Sequence, residues 1–505
     1  MARREGGRSA RRAAKAAPSS GIVKPVRGGA YRPLTDPEIE KIHGAALTIL
    51  AEIGMKNTVP ELFDLAVAAG CNVDRDGRIR FPKPLVEDMI AMIPKKATLF
   101  GRAPGREIEL GVGRTHYATG GMAVRMVDID TGEYRPSTLR DLYDCARLVE
   151  NLENIQVFNR TCVPSEIEDL RTFDLAVAYA CAAGTTKPLG VGFNNPASIN
   201  DCIDMFDQIL GGEGRFKAQP FATCNTCAVV PPMTFGDDNT VVAMAAARAG
   251  FPVKMTNAAQ SGATAPAALA GTLAQTVAES LAGMIMVQLA APGAVVIWAN
   301  WPFVSDLRTG AFSGGGGEIA VLNAASAQIA RWYGFPNSVS GGMTDAKETD
   351  AQYGYEKGMT DLTAGLAGAD IVYESTGMIG SIIGCALEAY VMDDEMLGAV
   401  RQTIRGIEVT EDTLSVEVIR DVCIGGPGHY LGHAQTLELM NTAYEYPKLA
   451  SREPPDAWVE AGCPSLRDKA KDRAREILAG AKPTVPRDVE EVIASSLPIV
   501  RVHDD

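Results

Sequence analysis

The sequence lacks an uninterrupted apolar run of the roughly 18 residues that a membrane-spanning helix needs. Its best candidate, residues 284–301, is broken by Gln288 and by Pro292-Gly293. We therefore predict no membrane partner.

Closely spaced cysteines are also scarce. Of the ten cysteines, only Cys224 and Cys227 form a C-x-x-C pair. A second pair, as zinc ribbons have, is missing, and so is a thioredoxin-like context. Scattered thiols in a large chain without a secretory leader indicate reduced cysteines and a cytoplasmic location.

Nucleotide-binding signatures are missing as well. The glycine run 314–317 opens a helix, where backbone amides can cradle phosphate, but the lysine and hydroxyl residue of a P-loop do not follow. We recognise no dinucleotide, S-adenosylmethionine or folate signature. We interpret Gly315 and Gly316 as part of a loop that moves or lets a bulky cofactor approach, with a flexible connector as the alternative.

Outside the first 32 residues, acidic residues outnumber basic ones. The whole chain has a net charge of -14, whereas residues 1–32 hold nine Lys/Arg and one Glu, a net +8. The remainder therefore carries -14 - 8 = -22. An acidic body argues against nucleic acid as a partner. We predict a disordered basic tail at 1–32, with a transit peptide as the alternative.

What the sequence does contain is a strand-like run that recurs eight times, with a helical pattern in every interval. The recurrence predicts parallel strands with crossover helices, and so an α/β protein with a (β/α)8 barrel. We assign residues 33–112 to an N-terminal α+β cap, 113–400 to the barrel and 401–505 to a C-terminal helical extension. The predicted strands are 116–119, 155–160, 189–193, 221–225, 253–257, 294–300, 338–341 and 371–374.

In such a barrel the active site lies at the carboxyl ends of the strands. The side chains there are mainly aromatic rings and neutral amides, which suit a soft cation such as a quaternary ammonium better than acid–base hydrolysis. Core packing is the alternative for each ring. Glu374 is the candidate catalytic residue, as a counter-charge to the cation or a holder of water, with a structural ion pair as the alternative. The substrate-binding candidates are Tyr117, Phe193, Asn225, Asn257, Trp301, Phe303 and, on a helix, Tyr353.

Three motifs, DAQYGYEKGMTDL, YESTGMIGS and GGPGHYLGHAQTLELM, resemble the trimethylamine methyltransferase family, which includes glycine betaine:corrinoid methyltransferases. The resemblance runs from about residue 34 to 478. It implies transfer of a methyl group from a methylated amine to Co(I) of a corrinoid (cobalamin). A separate small protein carries that corrinoid, so this chain binds no cofactor tightly. It also implies that the glycine-rich turn with His429 lines the barrel mouth near the cofactor. We predict no metal site, because the HYLGH pair lacks further ligands.

One departure from the founding branch bears on the substrate. Those enzymes carry pyrrolysine, whereas every residue here is standard; the matching region is roughly residues 351–354. A quaternary amine already has a fixed positive charge and releases a neutral tertiary amine. The resemblance therefore points to a glycine betaine-like substrate, whose carboxylate needs donors such as Asn225, Asn257, Gln260 or Arg308.

Two other function classes remain open. A barrel lyase or aldolase needs a catalytic lysine, and Lys254 is the only lysine within a predicted strand. A non-catalytic barrel that binds a methylated amine, or a methyltransferase for trimethylamine or another methylated amine, is also compatible with the residues. We expect a homo-oligomer.

Overall fold

The computed structural model describes residues 26–502. Its central feature is a ring of eight parallel strands in the order β1-β8-β7-β6-β5-β4-β3-β2. The ring closes between β1 and β2, where Ala118 bridges Val157 and the Thr119 amide donates to the Val157 carbonyl at 3.2 Å. The predicted (β/α)8 barrel is confirmed. The strands are β1 Arg114–Thr119, β2 Phe158–Asn159, β3 Leu189–Val191, β4 Ala222–Thr226, β5 Val253–Asn257, β6 Val296–Asn300, β7 Asn337–Ser340 and β8 Ile371–Thr376.

A helix follows every strand and packs on the outside of the barrel. The helical pattern of residues 378–397 predicts the last helix, and its predicted start is wrong. Gly377, Gly380 and Ser381 have φ of 85°, 62° and 64°, which a helix does not admit. A short hairpin therefore precedes α8. The helices are α1 Leu139–Glu150, α2 Leu170–Gly184, α3 Ser198–Leu210, α4 Asp237–Ala249, α5 Leu269–Ala290, α6 Gly317–Tyr333, α7 Ala351–Ala367 and α8 Leu387–Arg405.

Helix α5 is the one described helix long and apolar enough to cross a membrane by composition. It is mostly buried within the protein, as the core helix of a large barrel is.

The N-terminal end of the barrel is plugged by a hairpin of Ala97–Leu99 and Ile108–Leu110, whose apolar side chains join the barrel interior. Asp370, just before β8, accepts hydrogen bonds from the amides of Gly111 and Asn337, both at 2.9 Å. The plug thus shares a buried carboxyl with the sheet. The remaining cap elements are helices Asp36–Thr48, Pro60–Ala68 and Lys83–Met92, a π-helical turn Ile49–Ile53, and strands Met55–Lys56, Asn72–Val73 and Arg78–Arg80.

Most of the predicted basic tail, residues 1–25, lies outside the described residues. The described part of this predicted tail, residues 26–32, differs from the prediction of disorder. Val26–Arg27 forms a strand antiparallel to the start of β1, and Val26 is buried there. This pairing holds Val26 and Arg27, and the amides of Gly29 and Tyr31 donate to the Leu366 carbonyl at 2.6 and 3.1 Å.

Short strand pairs lie on the carboxyl-end rim of the barrel. Helix α8 continues past residue 400, the predicted boundary between the barrel and the C-terminal extension. Further helices follow α8. The rim elements are strands Arg125–Val127, Tyr134–Pro136, Val229–Val230, Thr234–Phe235, Gln260–Ser261, Phe303–Ser305, Phe312–Ser313, Met378–Ile379 and Gly384–Ala386. Helix Arg215–Ala218 lies at the opposite end of the barrel, between α3 and β4. The C-terminal helices are Glu411–Leu414, Val416–Cys423, Ala434–Leu439, Pro455–Glu460, Leu466–Gly480 and Arg487–Ser496.

Candidate active site

A cavity of about 440 Å³ opens at the carboxyl ends of the strands. Side chains of a strand alternate between the barrel interior and the surrounding helices. On β5, this alternation sends Lys254 and Thr256 into the cavity, and Asn257 toward α5. The lining residues are Gly121, Met122, Asn159, Arg160, Gly190, Val191, Gly192, Asn225, Thr226, Cys227, Lys254, Thr256, Ala258, Gln260, Trp301, Phe303, Phe312, Met343, Glu374 and Ile382.

Glu374 enters the cavity because β8 is irregular at this point. Tyr373 already faces the barrel interior, so alternation alone would send Glu374 outward. The pairing of β8 with β1 shifts register between Val372 and Thr376, and Glu374 has a φ of 65°. Such a backbone is costly for a residue with a Cβ and concentrates at functional sites.

The Glu374 carboxyl is buried and accepts one backbone hydrogen bond, from Gly121 to Oε2 at 3.0 Å. Burial raises its pKa to about 7, although the Gly121 amide and the charge of Lys254 act in the opposite direction. The group therefore changes charge near neutral pH.

Lys254 is a second buried charge in the cavity. Its Nζ lies 3.5 Å from the ring centre of Tyr373 and 4.6 Å from that of Trp301. Burial lowers its pKa to about 7, opposed by Glu374. The ammonium thus occupies a face of each ring, and the lysine and the glutamate titrate as an interacting pair.

Arg160 adds a positive charge at the end of β2. Its guanidinium lies 5.7 Å from the ring centre of Phe173; the charge of Asp174 acts on it, but no carboxylate of the described residues lies within ion-pair distance. Burial lowers the pKa of this group, but an arginine remains charged. A charged guanidinium open to a cavity is suited to bind a carboxylate of a ligand.

A pair of amides forms the wall between β2 and β4. Asn225 on β4 donates from Nδ2 to Oδ1 of Asn159 on β2, across the intervening strand β3. Gly190 on β3 makes this possible, since a Cβ there would meet both amides. Thr223 donates to Asn225 Oδ1 at 2.8 Å, which fixes the orientation of the amide.

Three aromatic rings close the side nearest β6. Trp301 donates from Nε1 to Ser338 Oγ at 3.4 Å, and Phe303 packs against Phe312 with ring centres 5.0 Å apart. Of the predicted residues, the structure therefore brings together Asn225, Trp301, Phe303 and Glu374.

The other four predicted side-chain candidates lie outside the cavity. Tyr117 donates to the Asp361 carbonyl of α7, at 3.3 Å, and Phe193 packs edge-on against Phe251. Asn257 donates to Glu279 Oε2 of α5 at 3.0 Å. These three residues were predicted at the cavity because they lie at or near strand ends. Their side chains point toward the helices, either because side chains alternate along a strand or because the chain has already left the strand.

Tyr353 is buried at the start of α7, where its hydroxyl donates to Asp393 Oδ1 of α8 at 2.6 Å. It joins two helices and does not reach the rim, because its face of α7 turns toward α8.

The predicted cofactor-binding residues also differ from expectation. The amides of Gly314 and Gly315 donate to Asp345, at 2.7 and 3.4 Å, so the loop is anchored. A Cβ on Gly315 would meet Glu356, and Gly316 has a φ of 113°. Gly315 therefore serves close packing, and Gly316 serves a backbone conformation that other residues rarely adopt. His429 is exposed and is not among the lining residues of the cavity.

Comparison with known proteins was decisive for the family. The family model described as trimethylamine methyltransferase matches residues 4–496. The chain belongs to the trimethylamine methyltransferase family. It is 30% identical to a trimethylamine methyltransferase of Desulfitobacterium hafniense (strain DSM 10664 / DCB-2), covering 95% of both proteins. It is 29% identical to a glycine betaine methyltransferase of Desulfitobacterium hafniense (strain Y51), covering 90% of this chain and 93% of the relative.

Among solved structures, the Methanosarcina barkeri monomethylamine methyltransferase aligns with a TM-score of 0.46 at 13% identity, over 88% of this chain and 94% of that one.

Two further charges line the cavity of this trimethylamine methyltransferase family member: the sequence marks Lys254 only as a possible lyase residue and does not mark Arg160. Lys254 stands in the middle of a strand, and Arg160 follows Asn159, the last residue of β2. Alternation counted back from Thr256 places Lys254 inside the barrel. No sequence signal shows that Arg160 is without a carboxylate partner.

Proposed function

We propose that this chain transfers a methyl group from a quaternary amine of the betaine class to Co(I) of a corrinoid held by a small separate protein. The relatives include a trimethylamine and a glycine betaine methyltransferase. We further propose that it acts in the cytoplasm as a homo-oligomer.

One observation carries the choice of substrate: the cavity is lined by a carboxyl, Glu374, and by Arg160, whose guanidinium has no carboxylate of the described residues within ion-pair distance. A betaine is a zwitterion with complementary charges. Arg160 would bind its carboxylate bidentately, and Glu374 would face its ammonium. Trimethylamine has no carboxylate and would leave the guanidinium desolvated without a partner, which is costly.

Protonation controls how the cavity receives a cation. Ionised Glu374 attracts the substrate ammonium, and Lys254, which titrates with it as an interacting pair, opposes that attraction while it is protonated. Phe303 and Phe312 border the same space and offer further attraction to the N-methyl groups.

The chain itself then acts by orientation. Arg160 and the Asn159–Asn225 amide pair hold one end of the substrate, so that an N-methyl group is presented to the open side of the cavity. The corrinoid supplies the nucleophile when its carrier protein is bound. The open carboxyl-end rim, with exposed Met122 and Ile382 beside the cavity, fits the approach of such a bulky group.

A lyase is the second candidate, because Lys254 lies in the cavity and its pKa is lowered to about 7, as imine-forming lysines require. Borohydride trapping with a panel of small carbonyl compounds tests it. We expect no covalent adduct on Lys254.

The test of the proposed reaction is incubation with Co(I) cobalamin and glycine betaine, choline or trimethylamine, following methylation of cobalt by absorbance. We expect activity with glycine betaine and much less with choline, which lacks the carboxylate. Activity with trimethylamine alone would contradict the quaternary substrate. If no amine methylates cobalt while glycine betaine binds, the chain is a binding protein.

A further inference from the structure

Residues 407–442, which we call the arm, form a segment with few polar contacts to the described part of the body. Within the described residues, its hydrogen bonds and ion pairs join the arm to itself or to the adjoining Ala443; Gln435 Nε2 to Ser415 Oγ at 2.8 Å is one example. Val422 is the one buried side chain of the arm, and it lies outside the hydrophobic core of the body. The described part of the body therefore shares neither a side-chain hydrogen bond, nor an ion pair, nor a hydrophobic core with the arm.

The arm is nevertheless rich in exposed apolar side chains. Eleven large ones are exposed, of which Ile407, Val409, Ile424 and Leu431 are between 71% and 91% exposed. Together they place on the order of 1,000 Å² of apolar surface in water, more than the roughly 300–600 Å² patch of a typical monomer. One side of a stable interface buries about 800 Å².

The position of the arm on the barrel narrows the choice of partner. Gln402 donates to the Ala443 carbonyl at 3.3 Å, and Glu445 lies beside Gly398, so both ends of the arm lie on the C-terminal half of α8. A barrel helix runs opposite to its strand, so this half is the one farther from the cavity. A carrier that presents cobalt to the cavity must dock at the other end.

We infer that the arm is an interface with a second copy of this chain. The exposed area matches what a stable subunit contact buries, and a segment that depends on a partner needs one that is always present. Exposed apolar patches of this size otherwise favour aggregation. This inference locates the proposed homo-oligomer on the chain and does not depend on the proposed reaction.

The test is the mass of the full chain in solution, by light scattering and sedimentation velocity over a range of concentrations. The variant Ile424→Ser/Leu431→Ser alters two exposed arm residues. The control Val67→Ser/Val492→Ser alters exposed apolar residues of the cap and the last helix, which are 57% and 59% exposed. We expect the wild type and control to form the same oligomer, and the arm variant to dissociate at least about tenfold more readily.

Hydrogen exchange of Val416–Cys423 gives an independent readout, with slow exchange in the oligomer and faster exchange in the arm variant. A wild type that stays monomeric would overturn both the homo-oligomer and the arm interface. An oligomer unaffected by the arm variant would overturn the arm interface alone. Protection of the arm only after a corrinoid carrier is added would assign it to that carrier. Methyl transfer, assayed in parallel, tests the proposed reaction separately.

Discussion

Two groups of opposite charge define the cavity at the scale of single residues. Glu374 reaches it through a strained backbone, and Arg160 lines it with no carboxylate of the described residues within ion-pair distance. Unpaired charge and backbone strain both cost folding free energy, and proteins retain them mainly at functional sites. Glu374 and Arg160 are therefore the first residues to test.

Glu374→Gln should lower kcat more than it raises KM, if the carboxylate acts on the ammonium during transfer. The carboxyl pKa is raised to about 7, so the wild type gains the carboxylate as pH rises through that value. Substrate binding should therefore strengthen from about pH 6 to about pH 8. The Gln variant should lose most of this dependence. An unchanged pH profile in the variant would rule out the glutamate as its source.

Arg160→Gln should raise KM for glycine betaine at least about tenfold, because a charge-assisted pair with the carboxylate is lost. KM for choline, which has no carboxylate, should change much less. Arg308→Gln is the matched control: Arg308 was a carboxylate candidate, but its side chain is exposed and pairs with Asp306 at 2.8 Å. Equal losses for both substrates would contradict the assignment of Arg160.

Phe303→Leu should weaken binding of a quaternary amine roughly 2- to 30-fold, through the loss of a cation–π attraction of about 0.5–2 kcal/mol. Phe193→Leu is the control, since Phe193 packs on Phe251 outside the cavity. It should lower the melting temperature and leave the dissociation constant unchanged. Calorimetric titration and thermal unfolding of both variants distinguish the two roles.

At the scale of elements, polar contacts between the barrel strands and the surrounding helices keep the helices in place. Glu279 of α5 accepts from the Met233 amide at 2.7 Å and from Asn257 of β5 at 3.0 Å. A buried carboxyl with these donors links a strand, a helix and a rim loop. The side chain of Asn257, which points from β5 toward the helices, is therefore structural. The side chains of β5 that point inward face the cavity.

Asn257→Ala should therefore destabilise the fold by about 1–3 kcal/mol, the cost of a buried acceptor that loses its donor. We expect a lower melting temperature and an unchanged KM. Thermal unfolding and steady-state kinetics of the same preparation measure both. A large rise in KM with unchanged stability would return Asn257 to the substrate site.

At the scale of the whole molecule, buried carboxyl groups make stability depend on pH. Burial raises the pKa of Asp370, between the plug and the sheet, to about 7, and that of Asp394 to about 6. A carboxyl whose pKa is raised on folding contributes stability below its unfolded value, near 4, that is lost as pH rises through the folded value.

The melting temperature of the wild type relative to that of Asp370→Asn should therefore fall as pH rises from about 4 to about 7, and level off above. The amide keeps the shape of the side chain without titrating. Thermal unfolding of both proteins at several pH values provides the measurement. A difference that grows with pH would show that Asp370 is stabilised as the carboxylate.

The sequence by itself determined the barrel, because a buried parallel strand and an amphipathic helix leave local periodic patterns that recurred eight times. It also predicted the carboxyl-end site and Glu374, Trp301, Phe303 and Asn225 within it. Only the tertiary structure decided which strand-end side chains face inward. The register shift in β8 interrupts the alternation of side chains between the barrel interior and the helices, so that Glu374 points inward. The side chains of Tyr117 and Asn257 point toward the helices. The unpaired state of Arg160 and the exposure of the arm depend on what distant segments leave uncovered, which no local pattern records.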